Sequence, residues 1–295
     1  LNNAMNYYGR AAEISRELGH WVNYLIDRRR AIEAMALSGE SLENVVGELG
    51  KLWGDALQGM EPTAPYLRAA AGVFGDYLVA LALVGRRGDV EKLLEEHGSL
   101  LNKYMDRRLN VATRLTLKYL GVNAEEPSGE EVLEAVWARL MPELRPAMEE
   151  VLGIHIPVED VPSLCGDLEV KDSKLCVNAY AAVNGDKEAE EIVRQYIVNE
   201  LSKNGVSREL LNKADTRQLI EVYAPATSMG QFILLLRALA LGDKDLAILH
   251  AEVGSAMFNG ELPKRFFREL ANALRSGDKN GARRAVAKLY YYHFF

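Results

Sequence analysis

The sequence predicts an all-α protein built from stacked, antiparallel helical hairpins. Three observations carry that expectation. Apolar residues recur at spacings of three and four, which is the helical period, and not at two. A Gly-Asp pair stands between two helical stretches at Gly88-Asp89, Gly185-Asp186, Gly242-Asp243 and Gly277-Asp278. Only nine prolines occur in 295 residues, most of them where a helix would begin or end.

The elements follow in order. Ala4, Tyr7, Tyr8, Ala11, Ala12, Ile14 and Leu18 share one side of a helix that Gly19 closes. Trp21, Leu25, Ile32, Met35 and Ala36 continue the pattern in a second helix, closed by Gly39. Ser41 reads as the N-cap of a third, which runs to about Leu57. Glu61-Pro62-Thr63-Ala64-Pro65 is a break, and the helix after it reaches Val84-Gly85. The Gly-Asp pairs have a direct physical reading. Glycine takes the left-handed conformation that ends one helix, and aspartate accepts the free amide hydrogens that open the next. So short a turn forces neighbouring helices to pack antiparallel.

The middle is less regular. Val122 to Gly129 reads as a loop, with Ser128 or Gly129 opening the next helix. Met141-Pro142 and Arg145-Pro146 kink or split that helix. Gly153 to Pro162 is the least helical passage, a loop between a front and a back block. The expected organisation is N-terminal hairpins over 1–122, an irregular connection over 123–162, and a C-terminal hairpin block over 163–295. The tail Tyr290-Tyr291-Tyr292-His293-Phe294-Phe295 reads as an aromatic cap on the preceding hairpin, with self-association as the alternative.

The stretch Asn6 to Gly19 resembles the second helix of a tetratricopeptide repeat, with Tyr8, Ala11, Ala12 and the closing Leu18-Gly19 at the aromatic, small and helix-ending positions. Leu83-Val84-Gly85 with Val90 to His97, and Leu274 to Asp278 with Ala282 to Leu289, resemble the same motif more loosely. The wording is also similar to large tetratricopeptide-like proteins of thermophilic archaea. No complete repeat with the tryptophan-leucine-glycine-tyrosine spacing is present, and the middle third has no clear repeat. The resemblance implies a right-handed helical superhelix that works by holding another protein or a peptide.

Composition narrows the function classes. With 48% hydrophobic and 26% charged residues the chain has ample material for a core. A formal charge of -7 gives no support for a general nucleic-acid or anionic-membrane surface. The apolar run Phe232 to Leu236 meets Arg237 and then a Gly242-Asp243 stop, so it reads as a buried helix and not a membrane span, which needs about 20 apolar residues. A cytoplasmic location is expected. Leu1 in place of methionine reads as the start of a piece of a longer chain. Cys165 and Cys176 read first as ordinary half-buried thiols, with a loop-closing disulfide as the alternative.

Tests for chemistry find little. There is no phosphate-binding glycine loop, no nucleophile elbow, and no histidine pair at metal-ligand spacing among His20, His97, His155, His250 and His293. No cofactor, metal or catalytic residue is expected. The basic pairs offer one candidate surface. Arg28, Arg29, Arg107 and Arg108 are the expected partner-binding residues, placed to line one groove for an acidic peptide or a phosphate, with ordinary surface charge as the alternative. The leading expectation is a protein–protein interaction scaffold, the C-terminal arm of a larger chain. The alternatives are a sensor arm regulating an attached ATPase or protease, and an all-α enzyme with an unrecognised site.

Overall fold

The structure, a computed structural model, describes residues 1–59, 63–137 and 140–295. It is all-α and 80% helical, has no strand among those residues, and packs consecutive helices against each other as hairpins. Two compact units divide the chain: Leu1–Glu126 together with Arg283–Phe295, and Pro127–Ala282.

The first unit holds α1 (Asn2–Glu17), α2 (Trp21–Ser38), α3 (Leu42–Gln58), α4 (Ala64–Leu83), α5 (Arg87–His97), α6 (Ser99–Tyr104) and α7 (Arg107–Tyr119). Glycines end α1 and α2 as read from the sequence, Gly19 at φ +72° and Gly39 at φ +98°. The Ser41 hydroxyl accepts the Asn44 amide at the start of α3. Of the break expected at 61–65, Glu61 and Pro62 lie outside the described residues, and α4 follows Thr63 directly. This 20-residue helix is apolar and long enough to cross a membrane by length and composition, yet 78% of its apolar window is buried in the fold. It is the core helix of the unit, packed by α2, α3, α6 and α7.

One punctuation mark falls elsewhere than predicted. Gly85, at φ +86°, makes the left-handed turn, and Gly88 lies inside the first turn of α5. The two glycines are three residues apart, and only the one directly after the last turn of α4 meets carbonyls that need closing.

The second unit holds α8 (Gly129–Trp137), α9 (Arg145–Val151), α10 (Val161–Gly166), α11 (Val170–Val183), α12 (Lys187–Lys203), α13 (Arg208–Lys213), α14 (Thr216–Tyr223), α15 (Ser228–Ala240), α16 (Lys244–Met257) and α17 (Glu261–Ser276). The last helix, α18 (Lys279–Phe294), begins there and continues into the residues of the first unit. Ser128 and Glu131 exchange side-chain-to-amide hydrogen bonds at the start of α8. The other three Gly-Asp marks behave as read. Gly185, Gly242 and Gly277 take positive φ, and Asp186, Asp243 and Asp278 accept amide hydrogens of the following turn.

Two expectations are corrected in this unit. The loop predicted over 153–162 is shorter, because Val158–Asp160 forms a 3-10 turn and α10 opens at Val161. Proline suits the first turn of a helix, so Pro162 starts one here and does not prolong the loop. Cys165 and Cys176 are not half-buried thiols: they are joined in a disulfide, with Cα atoms 5.8 Å apart and both residues buried. The α10–α11 hairpin brings them face to face, and Val161, Tyr180, Ile156 and Leu168 pack around the bond.

The aromatic tail also seats differently from the prediction. Tyr290 and Tyr291 pack among the N-terminal helices. Tyr290 shares a 2.8 Å hydrogen bond with Thr113, and the Tyr291 hydroxyl reaches the Asp76 carbonyl at 3.4 Å. Both rings are fully buried, while Phe295 stays 39% exposed beside Tyr8.

Candidate functional site

Successive residues on a helix point about 100° apart, and the run Arg28-Arg29-Arg30 is divided accordingly. Arg28 pairs with Glu48 of α3, which also takes the Lys51 ammonium at 2.7 Å. Lys51 and Arg28 together hold Glu48 below the usual carboxylate range. Arg29 turns inward. Its Nε donates to Asp76 of α4 at 2.8 Å, and its Nη2 lies 3.0 Å from Glu33. Arg30 lies over the Tyr8 ring, 5.5 Å from its centroid. Arg107 is exposed at the start of α7, and Arg108 stays beside its own N-cap, 3.6 Å from Asp106.

These four arginines therefore do not converge on one groove. Arg28 lines a cleft formed by α1, α2 and α3, whereas Arg29 lines a separate recess among α2, α4, α6 and the start of α7. Arg107 and Arg108 are in the lining of neither.

The α1 cleft has a volume of about 690 Å³. Its apolar lining includes Met5, Gly9, Ile14, Ile32 and Met35, and its charges are Arg10, Glu13, Arg28 and Glu48. The helix forming one wall is sparsely covered, because α1 packs mainly on α2. Only Ala12 is fully buried on it. Tyr7, Ile14 and Leu18 are 69%, 57% and 63% exposed. Spaced by seven and four residues, they form a single ridge along the free side of the helix. A second recess, of about 560 Å³, runs beside that ridge, past Asn3, Tyr7, Arg10 and Ala11.

The second unit contains a buried polar group that sequence reading did not assemble. Gln231 of α15 donates to His250 Nδ1 of α16 at 2.8 Å, and His250 Nε2 lies 3.5 Å from Glu221 of α14. Arg237 reaches the same Glu221 oxygen at 3.3 Å. Glu221, Gln231 and His250 are each at most 3% exposed, so the cluster joins three core helices and faces no recess described above. Among the described residues, no group of three or more His, Cys, Asp or Glu side chains is placed to hold a metal ion.

No protein-family model, curated protein or solved structure matches the chain. What the fold itself defines is a class: an all-helical protein of 18 α-helices among the described residues, with adjacent helices packed in pairs.

Proposed function

We propose that this chain is a protein-binding helical scaffold of tetratricopeptide-like character, and that its α1–α3 cleft receives an amphipathic helix of a protein partner. The observation that carries the reading is the uncovered apolar side of α1 beside an open cleft. A ridge of Tyr7, Ile14 and Leu18 exposed to water is costly unless something covers it, at about 25 cal/mol per Å² of apolar surface. Helix-in-groove recognition requires an apolar floor with anchors repeating along a helix and charges at the edge. Met5 and Met35 add side chains that reshape to fit different partners. Arg10 and Glu13 lie on the same cleft, so both signs are available to set the register of a bound helix.

The test is a selection from a displayed library of amphipathic helical peptides on the intact chain, followed by binding to Ile14→Asp and Met35→Lys. Neither residue is fully buried, so the variants should fold. Selected peptides should bind each variant about tenfold more weakly or worse. Peptides that bind both variants as well as the parent would remove the cleft as the binding surface.

A further inference from the structure

The recess beside Arg29 supports an inference that does not depend on the α1 cleft. It has a volume of about 450 Å³, and its lining includes Arg29 of α2, Arg68 and Gly72 of α4, and Lys103 of α6. Three helices thus present three cations to one space. Arg68 and Lys103 are exposed, and among the described residues neither takes part in an ion pair or a side-chain hydrogen bond.

Arg29 is the fixed member. A guanidinium carries five N–H donors. Its Nε and Nη2 are committed to Asp76, Glu33 and the Phe294 carbonyl. Nη1 has no such partner. It lies over Gly72, so close that a Cβ there would stand 2.6 Å away. Glycine is a poor helix former compared with alanine, and at position 72 its missing side chain makes room for this nitrogen. Burial raises Glu33 well above the usual carboxylate range, which weakens its hold on Arg29 as a counter-charge. Asp106 also lines the recess, but its carboxylate is already engaged. It accepts the Arg108 and Leu109 amides at the start of α7 and lies 3.6 Å from the Arg108 guanidinium.

We propose that this recess binds a phosphoryl group, with Arg68 and Lys103 supplying charge from two helices and Arg29 Nη1 supplying a preset donor at the floor. A carboxylate is satisfied by one planar fork of donors. A phosphoryl group presents three strong acceptor oxygens and a charge near -2, and it suits donors converging from several directions. The volume exceeds that of a bare ion, so the group is either free phosphate with water or a phosphoryl carried on a serine-sized fragment.

Isothermal titration of the intact chain with inorganic phosphate, O-phosphoserine and acetate decides the matter. Phosphate should bind saturably with Kd at about 1 mM or tighter, and acetate more weakly. The double variant Arg68→Gln/Lys103→Gln should bind phosphate about tenfold more weakly with an unchanged thermal melt, since both side chains are exposed. Tighter binding of O-phosphoserine than of phosphate assigns the site to a phosphorylated side chain, and the reverse assigns it to the free anion; either supports the proposal. No saturation up to about 10 mM phosphate, equal binding of acetate, or undiminished binding by the double variant would overturn it.

Discussion

Arg29 is held by two buried carboxylates, Asp76 and Glu33, and that makes its cluster the most informative test at the scale of single residues. Removing one partner of a buried ion pair leaves a charge uncompensated and typically costs about 3–5 kcal/mol. Asp76→Asn is therefore expected to destabilise the first unit by that order, read as lost hydrogen-exchange protection in α2 and α4. Glu33 should behave in the opposite sense. Its folded pKa is raised by burial, so its contribution to stability is complete below the unfolded value of about 4.5 and drains away as pH rises. Glu33→Gln should match the parent near pH 4 and exceed it increasingly toward pH 8 in urea midpoint. A constant difference across that range would show that burial does not raise Glu33. Helix geometry alone spreads Arg28, Arg29 and Arg30 over different faces, yet Arg28 and Arg29 were expected to share one groove, and they line separate recesses. Their partners were not legible in the sequence. Asp76 is 47 positions from Arg29, and no local pattern announces a contact between two helices that are not consecutive.

At the scale of helices and turns, the Gly-Asp signal was readable wherever a single glycine followed the last helical turn. It misled at 85–88, where two glycines compete and the pattern alone favours the one beside aspartate. Alanine substitution separates them. Gly85→Ala forces a side chain into a left-handed conformation and should cost about 1–2 kcal/mol. Gly88→Ala meets nothing within 4 Å and should be neutral or stabilising by up to about 1 kcal/mol. Equal effects in thermal melts would return the turn to Gly88. The disulfide was the less favoured reading because two cysteines eleven residues apart specify no geometry by themselves. The short α10–α11 hairpin supplies it, through a helix opening at Val161 whose Pro162 composition marks only as a breaker. Closing so small a loop is worth about 3 kcal/mol in the chain-entropy account. Cys165→Ala/Cys176→Ala should accordingly lower the urea midpoint of the second unit and leave exchange in α2, α4 and α7 unchanged.

For the molecule as a whole, the consequential feature is that one of its two compact units is discontinuous in sequence. Arg283–Phe295 belongs with Leu1–Glu126, and its tyrosines occupy space among α2, α4 and α7 that no N-terminal residue fills. Hydrophobic periodicity could place these rings on a helix but could not say which helices would cover them, since long-range pairing leaves no local trace. Deletion of 283–295 should therefore reduce exchange protection in α2, α4 and α7 far more than in α12 or α15, although the deleted residues follow α17 in the chain. The same seat makes the first unit sensitive to acid. Burial lowers His293 from 6.5 to about 3, so the folded imidazole is neutral at every pH above that. The unfolded chain takes up a proton as pH falls through about 6.5 and the folded chain does not. Stability from this residue is then complete above pH 6.5 and declines as pH drops toward 3, by at most about 1.4 kcal/mol per pH unit. His293→Gln, which keeps a polar group but cannot ionise, should flatten the fall in urea midpoint between pH 6.5 and pH 4. If the parent and the variant lose stability in parallel over that range, the imidazole is not seated as a neutral ring, and the acid response of the unit must come from its carboxylates.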